Sequence, residues 1–292
     1  MKLTITGYST ALFATWYFIE DYRLLFDAGD GVAATLLQKS RKIDHIFLSH
    51  ADRDHLTGLL RLNELIVRDG LPKLYFPGDA GSFSALEIFS KQFDARVGQT
   101  HWQGMAHQQS VMIQKGLYVQ ALRNNHVVRA QPQQVKSVSY QLYQLKEKLK
   151  AELVGLPQEQ LTQLALTYGR ETMTEPVRTN LVGYSGDTPA DQLGQWNHTG
   201  ILIHEATFLS RQDIKELDPN RNRHSTLEEV LREVAQLQID TLILGHFSSR
   251  YSPEQIDSAI KKYCQLYKIQ IPVYRLLPGQ VQWDILQSQP IN

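Results

Sequence analysis

Ser49-His50-Ala51-Asp52-Arg53-Asp54-His55 places four side chains able to bind a metal within residues 50–55. A divalent cation needs several deprotonated donors converging at about 2.0–2.2 Å. The stretch follows Asp-His-Ile-Phe-Leu-Ser at residues 44–49, a short apolar run that reads as a buried strand. Where a strand runs into a turn, alternate residues can point the same way. His50, Asp52 and Asp54 can therefore converge, with His55 beside them. Alone, the cluster also fits a polar loop in which Asp52 or Asp54 satisfies backbone amides as a helix N-cap. The remaining strand ends decide between the two.

They repeat the pattern. Residues 181–184 read as a strand that delivers Ser185-Gly186-Asp187-Thr188, and residues 200–204 as one ending in His204-Glu205-Ala206-Thr207. An amphipathic helix over 227–237 precedes a strand over 241–244 that ends in Gly245-His246. His126 follows Leu122-Arg123-Asn124-Asn125. Open α/β sheets place their active sites at such C-terminal strand ends. Singly, His126 or His246 would be a structural histidine, and Asp187 a turn residue. Together they complete a donor set for two metals, with Asp187 able to bridge through both oxygens. Metals held roughly 3.5–4 Å apart can stabilise both oxygens of an in-line displacement.

Working outward, residues 2–6 alternate, and apolar runs at 14–20 and 23–27 flank Asp21-Tyr22 as a hairpin. Residues 32–38 read as a short helix, and 56–69 carry helical spacing at Leu59, Leu62, Leu65 and Ile66. Residues 141–153, rich in Lys and Glu, are expected to be helical, followed by Gly155-Leu156-Pro157 and a Gln-rich stretch. The segment at about 130–179 is expected to be an insertion or arm within one domain spanning 1–292.

Lys and Arg number 30 and Asp and Glu 30, giving zero net charge over 292 residues, with 42% hydrophobic and 21% charged residues. That excludes a disordered chain and a uniformly basic surface for nucleic acid. A single cysteine, Cys264, cannot form an internal disulfide. No apolar run approaches the length of a membrane span, and the first residues lack a signal-peptide core. A cytoplasmic protein with no membrane partner is the expectation.

The motifs as a set resemble those of the metallo-β-lactamase fold superfamily, and within it are similar to the tRNA 3′-processing endoribonuclease branch, ribonuclease Z. They are Leu25-Phe26-Asp27-Ala28-Gly29, residues 49–59, Tyr184-Ser185-Gly186-Asp187-Thr188, His204-Glu205-Ala206-Thr207-Phe208, His224-Ser225-Thr226, and residues 245–251. The resemblance implies an αββα sandwich, two mixed sheets flanked by helices. It implies a metal-dependent phosphodiesterase in which a metal-bound hydroxide attacks phosphorus. One metal would be held by His50, His126 and Asp187, the other by Asp54, His55, His246 and the same Asp187. Asp54 would accept the water's proton, and His224 with Glu205 would protonate the leaving oxygen. Two zinc ions and a homodimer are likewise implied. Asp27 is expected to hydrogen-bond the metal loop, and His204 to be structural. Ser248 and Arg250 are candidates for phosphate contact, with internal pairing of Arg250 to a carboxylate as the alternative.

Two positions depart from the family pattern. Asp52 stands where a histidine is usual, either as a ligand that favours manganese or iron or beside a weakened first metal site. The 131–175 segment sets Lys136, Lys146, Lys148, Lys150 and Arg170 against Glu147, Glu152, Glu159, Glu171 and Glu175, and is neutral. A tRNA clamp needs cations, so RNA is a possible substrate with no basic arm to hold it. The other readings are a hydrolase of small esters, lactones or sulfates, and a non-catalytic metal-binding or scaffold homologue.

Overall fold

The computed structural model describes residues 3–214 and 223–292. Lys2, part of the first alternating run, lies outside them. Ile5–Thr10 (β1), Ala14–Ile19 (β2), Leu24–Phe26 (β3), His45–Phe47 (β4), Lys73–Pro77 (β5) and His101–Met105 (β6) form one sheet in sequential order. The first pairings are antiparallel, and those from β3 to β6 are parallel. Ser110–Gln114 (β7), Leu117–Arg123 (β8), Val138–Leu149 (β9), Thr174–Tyr184 (β10), Thr199–Glu205 (β11), Ile239–Gly245 (β12) and Val273–Arg275 (β13) form the second sheet. Its β10–β13 pairings are parallel.

Three apolar layers glue four structural ones. Between the sheets lie Ile5, Tyr17, Phe26, Phe47, Tyr140, Tyr184 and Ile203. Outside the first sheet, Trp16, Phe18, Leu25 and Ile46 meet Val32–Leu36 (α1), Leu59–Ile66 (α3) and Phe83 of Gly81–Phe93 (α4). Outside the second, Leu202, Leu242 and Leu244 meet Leu227–Val234 (α6) and Pro253–Tyr267 (α7). Each such side chain, fully buried, contributes about 1.5–3 kcal/mol. Burial on both faces explains why the parallel strands read as continuous apolar runs. The αββα sandwich expected from the resemblance is the architecture observed.

The helical expectation for residues 56–69 resolves into Arg53–Leu56 (α2) and α3, broken at Gly58. A Cβ on Gly58 would sit 2.2 Å from the Gly29 carbonyl oxygen, so the chain at Gly58 crosses the Gly29 loop with no side chain between them.

Residues 141–153 correct the sequence reading. They continue strand β9, antiparallel to β10 from Thr174↔Leu149 to Tyr184↔Tyr140. Beyond Gln144 and Asn180 the neighbouring strands β8 and β11 drop away, leaving a two-stranded ribbon. Both its faces are solvated, so Lys and Glu sit there without conflict, and cross-strand pairing outweighs their helical preference. The helix lies further on, at Gln158–Tyr168 (α5), in the Gln-rich stretch at the tip. No residue of α5 is buried. The arm is thus a ribbon carrying a solvated helix.

Candidate metal centre

Each side chain of the site arrives from the C-terminal edge of a strand or the loop beyond. β4 delivers His50, Asp52, Asp54 and His55; β8 delivers His126; β10 delivers Asp187; β11 delivers Glu205; β12 delivers His246. His224 comes from the segment before α6, which Thr226 opens with a capping box to Glu229. Ser225 Oγ donates to the Thr188 carbonyl at 2.6 Å. The His-Ser-Thr run therefore ties His224 to the Asp187 turn on one side and to a helix start on the other.

Four imidazoles share one arrangement. Each has its Nδ1 engaged by a neighbour: His50 with Ser49 Oγ at 2.9 Å, His55 with Asp27 Oδ2 at 2.7 Å, His126 with the Arg223 carbonyl at 2.8 Å, and His246 with Thr207 Oγ1 at 2.9 Å. Engaging Nδ1 leaves Nε2 as the ligating atom, the usual device for orienting a metal-binding histidine. The Nε2 atoms of His55 and His246 both lie 3.2 Å from Asp187 Oδ2, with His50 Nε2 at 3.7 Å. Asp54 Oδ2 lies 3.4 Å from His246 Nε2 and 3.7 Å from His55 Nε2. Asp52 Oδ2 reaches 3.6 Å from His50 Nε2 and 3.5 Å from His126 Nε2. His50, Asp52 and His126 form one donor group and Asp54, His55 and His246 a second, with Asp187 against His50 and His55. The shorter aspartate thus stands within reach of the first group, its side chain 46% exposed.

The donor chemistry fits divalent cations. The Nε2 atoms of His50 and His126 are buried without a hydrogen-bond partner, and buried orphans of this kind are costly unless something else satisfies them. Burial, then the neighbouring His55 and His126 charges, hold His50 well below its ordinary value, in the neutral form that ligates. Burial disfavours a charged His55, yet the carboxylates of Asp187 and Asp27 outweigh it and hold the imidazole well above its usual range. Carboxylates that draw a proton onto a buried ring draw a metal cation by the same field. Burial would raise Asp54, but its bond to His246 and the His55 charge win and keep it ionised. The Leu12 amide donates to Asp54 Oδ2 at 3.0 Å.

Asp27 does what the sequence suggested. It accepts from Ser49 N at 2.6 Å, Ser49 Oγ at 2.7 Å, His55 and the Tyr184 hydroxyl. Asp27 and His246 both have positive φ, 53° and 61°, a region that costs a non-glycine residue of order 1–3 kcal/mol. Gly245 is dictated by contact, since its Cβ would lie 2.0 Å from the Tyr17 hydroxyl.

His224 Nδ1 meets Glu205 Oε1 at 3.0 Å. Burial pushes the ring down, but the Glu205 charge and its hydrogen bond prevail and raise His224 to about 9. Glu205 also accepts from Thr188 N at 2.8 Å and Thr207 Oγ1 at 2.6 Å, which fixes its orientation. His204 is buried with Nδ1 2.7 Å from the Glu205 carbonyl, a local contact. Arg250 donates to Ser248 Oγ at 3.0 Å and stands 5.3 Å over the Phe208 ring, which edges His224 at 6.4 Å. Among the described residues it forms no carboxylate pair.

Sequence reasoning missed the role of Thr207, whose hydroxyl touches Glu205, His246 Nδ1 and His224 Nδ1. It also missed Tyr184 and Ser49 as supports of Asp27. Their positions lay inside quoted motifs, but the partner of a buried hydroxyl leaves no periodic signal.

Fold and site together define a metallo-β-lactamase-fold chain. Residues 22–149 match the family described as "Beta-lactamase superfamily domain". Within that fold the sequence is similar to tRNase Z TRZ1 of Arabidopsis thaliana, 26% identical over 270 residues, 88% of either chain. Among solved structures, the metallo-beta-lactamase fold protein YhfI from Bacillus subtilis aligns with TM-score 0.62 at 17% identity, over 96% of this chain and 99% of its own. Zn(2+)-bound PqqB from Methylobacterium extorquens aligns with TM-score 0.62 at 14% identity over the same shares.

Proposed function

We propose that this chain is a metal-dependent phosphodiesterase whose centre works as that of a ribonuclease Z-like hydrolase. The carrying observation is a seven-donor centre with a His224–Glu205 dyad, 3.0 Å apart, set against its edge. A hydrolase that only polarises an ester needs the centre; the dyad adds a proton source for an alkoxide leaving group.

His50, Asp52, His126 and Asp187 would hold one cation, and Asp54, His55, His246 and Asp187 the other. Bound there, two divalent cations supply charge that polarises phosphoryl oxygens and acidifies water. Asp54, ionised and held by the Leu12 amide, accepts the proton released by the attacking water. His224, kept protonated by Glu205, donates to the departing oxygen from Nε2, because Nδ1 is committed to Glu205. Thr207 links dyad and centre, since its hydroxyl contacts both Glu205 and His246. The mainly imidazole donor set and a zinc-bound relative of the same fold favour zinc. The carboxylate of Asp52 opens the first site to manganese or iron. Resemblance further supports one domain, a homodimer and a cytoplasmic location; among the described residues no helix is long and apolar enough to cross a membrane.

The test is hydrolysis of bis(p-nitrophenyl) phosphate and a precursor tRNA in parallel, after loading with zinc, manganese or iron. Cleavage of the diester is expected. A metal-loaded sample inert toward both substrates would overturn the reading.

A further inference from the structure

The hairpin that joins β1 and β2 reaches the edge of the centre. Residues 10–13 form a tight turn, closed where the Phe13 N–H donates to the Thr10 carbonyl at 3.1 Å. Three further bonds hold this turn in place. The Leu12 amide donates to Asp54 Oδ2 at 3.0 Å, the Ala11 amide to the carbonyl of Phe247, next to His246, at 3.3 Å, and the Gly279 amide to Thr10 Oγ1 at 2.9 Å. Leu12 is thus rooted one hydrogen bond from the carboxylate that faces His55 and His246. Its side chain is 88% exposed, the most of any large apolar residue described, and that of Phe13 beside it is 60% exposed. An exposed leucine is ordinary on a protein surface. This one also has φ 71°, the left-handed region that a turn normally gives to glycine or asparagine at its third position. A strained backbone under a side chain that buries almost nothing adds nothing to the fold. Strain kept at the edge of a site points to contact with a ligand.

We propose that Leu12 and Phe13 form an apolar lip that takes a hydrocarbon arm of the substrate, and so select small diesters with one apolar ester group. The inference rests on the phosphodiesterase reading and adds its substrate class. A diester has two arms. One departs and is protonated by His224; the other stays on phosphorus, and the lip, fixed beside Asp54, meets the arm that stays. Each methylene fully removed from water there strengthens binding about fourfold. The bonds beneath the turn hold the lip ready, so little ordering opposes the contact. A small apolar diester also needs no cationic clamp, which agrees with the neutral charge of residues 131–175.

The experiment varies the retained arm at a constant leaving group. Methyl, butyl and hexyl p-nitrophenyl phosphate, with the p-nitrophenyl ester of thymidine monophosphate for comparison, are given to metal-loaded wild type, Leu12→Gly and Phe13→Ser. In wild type kcat/KM should rise about 10-fold or more from the methyl to the hexyl arm. Leu12→Gly, which keeps the amide to Asp54, should flatten that rise to about threefold or less and change the methyl substrate by less than about twofold. Phe13→Ser should flatten it likewise. Glycine relieves the left-handed backbone, so the melting temperature of Leu12→Gly should stand at or above that of wild type. A flat series in wild type, or a rise unchanged in both variants, would overturn the lip. A lower melting temperature with equal losses on every arm would make the Leu12 side chain structural and overturn it too. A thymidine ester that exceeds the hexyl one, and keeps its lead in Leu12→Gly, would overturn the hydrocarbon assignment. If wild type cleaves no diester, the phosphodiesterase reading falls by itself. The lip is then read by calorimetric titration with dibutyl and dimethyl phosphate, where no preference for the dibutyl ester, or a preference unchanged in Leu12→Gly, overturns it.

Discussion

Strand β10 runs from one kind of surface to another. It starts at Thr174 in the ribbon, where Glu175, Pro176, Arg178 and Thr179 are exposed and Glu175 faces Lys148 across the pair. It ends at Tyr184, whose buried hydroxyl donates to Asp27, three residues before the buried Asp187. At the ribbon end, side chains meet water and few partners, so their identity is loosely constrained. At the site end, Asp187 sits against four histidine rings and Asp27 accepts from four groups. Chemistry and reach are written into the same strand by different rules: satisfied burial at one end, solvated pairing at the other.

That contrast breaks if substitutions at the site prove mild or changes to the ribbon prove severe. The largest effect belongs to Asp187→Ala, which removes the carboxylate that lies against histidines of both donor groups. Diester turnover should fall roughly 10³-fold or more, on the scale of losing a group that stabilises transition-state charge, and metal content should drop in the same sample. Retained turnover would detach Asp187 from the centre.

Next stand His224→Ala and Glu205→Gln, expected to lower kcat about 10²- to 10⁴-fold. Here pH gives the sign. A donor raised to about 9 is protonated below that value. Activity should therefore hold through neutrality and decline as pH rises through the His224 value, with bound cations shifting that limb below 9. Glu205→Gln removes the main raising influence, so residual activity should decline at lower pH than in wild type. A pH profile with no alkaline limb, identical in both proteins, would remove the dyad from the reaction.

Asp27→Asn should weaken metal affinity about 10- to 100-fold through a misdirected His55, measured by competition with a chelator. Smallest is the effect of replacing residues 150–173 with a short turn. Turnover of a small diester should change by less than about two-fold, because a distant surface segment couples weakly to the site. A collapse of that activity would show that the arm supports the centre after all.

Much of this was legible in the sequence. Asp187 and His246 could be found because each follows a short apolar strand, a pattern that survives without coordinates; His126, after the polar Arg123-Asn124-Asn125, entered through the donor set that the resemblance implies. Asp27 was legible as a support because it lies in a motif before a turn. Residues 141–153 were misread, since Lys and Glu signal helix only while cross-strand partners are invisible.

Direct metal stoichiometry tests the proposed two-cation centre on seven donors. Purified protein is stripped with chelator, titrated with zinc, dialysed and assayed by elemental analysis alongside Asp187→Ala. Two zinc ions per chain are expected in the wild type and one or fewer in the variant. Wild-type protein that retains no zinc, or a variant that retains both ions, would contradict it.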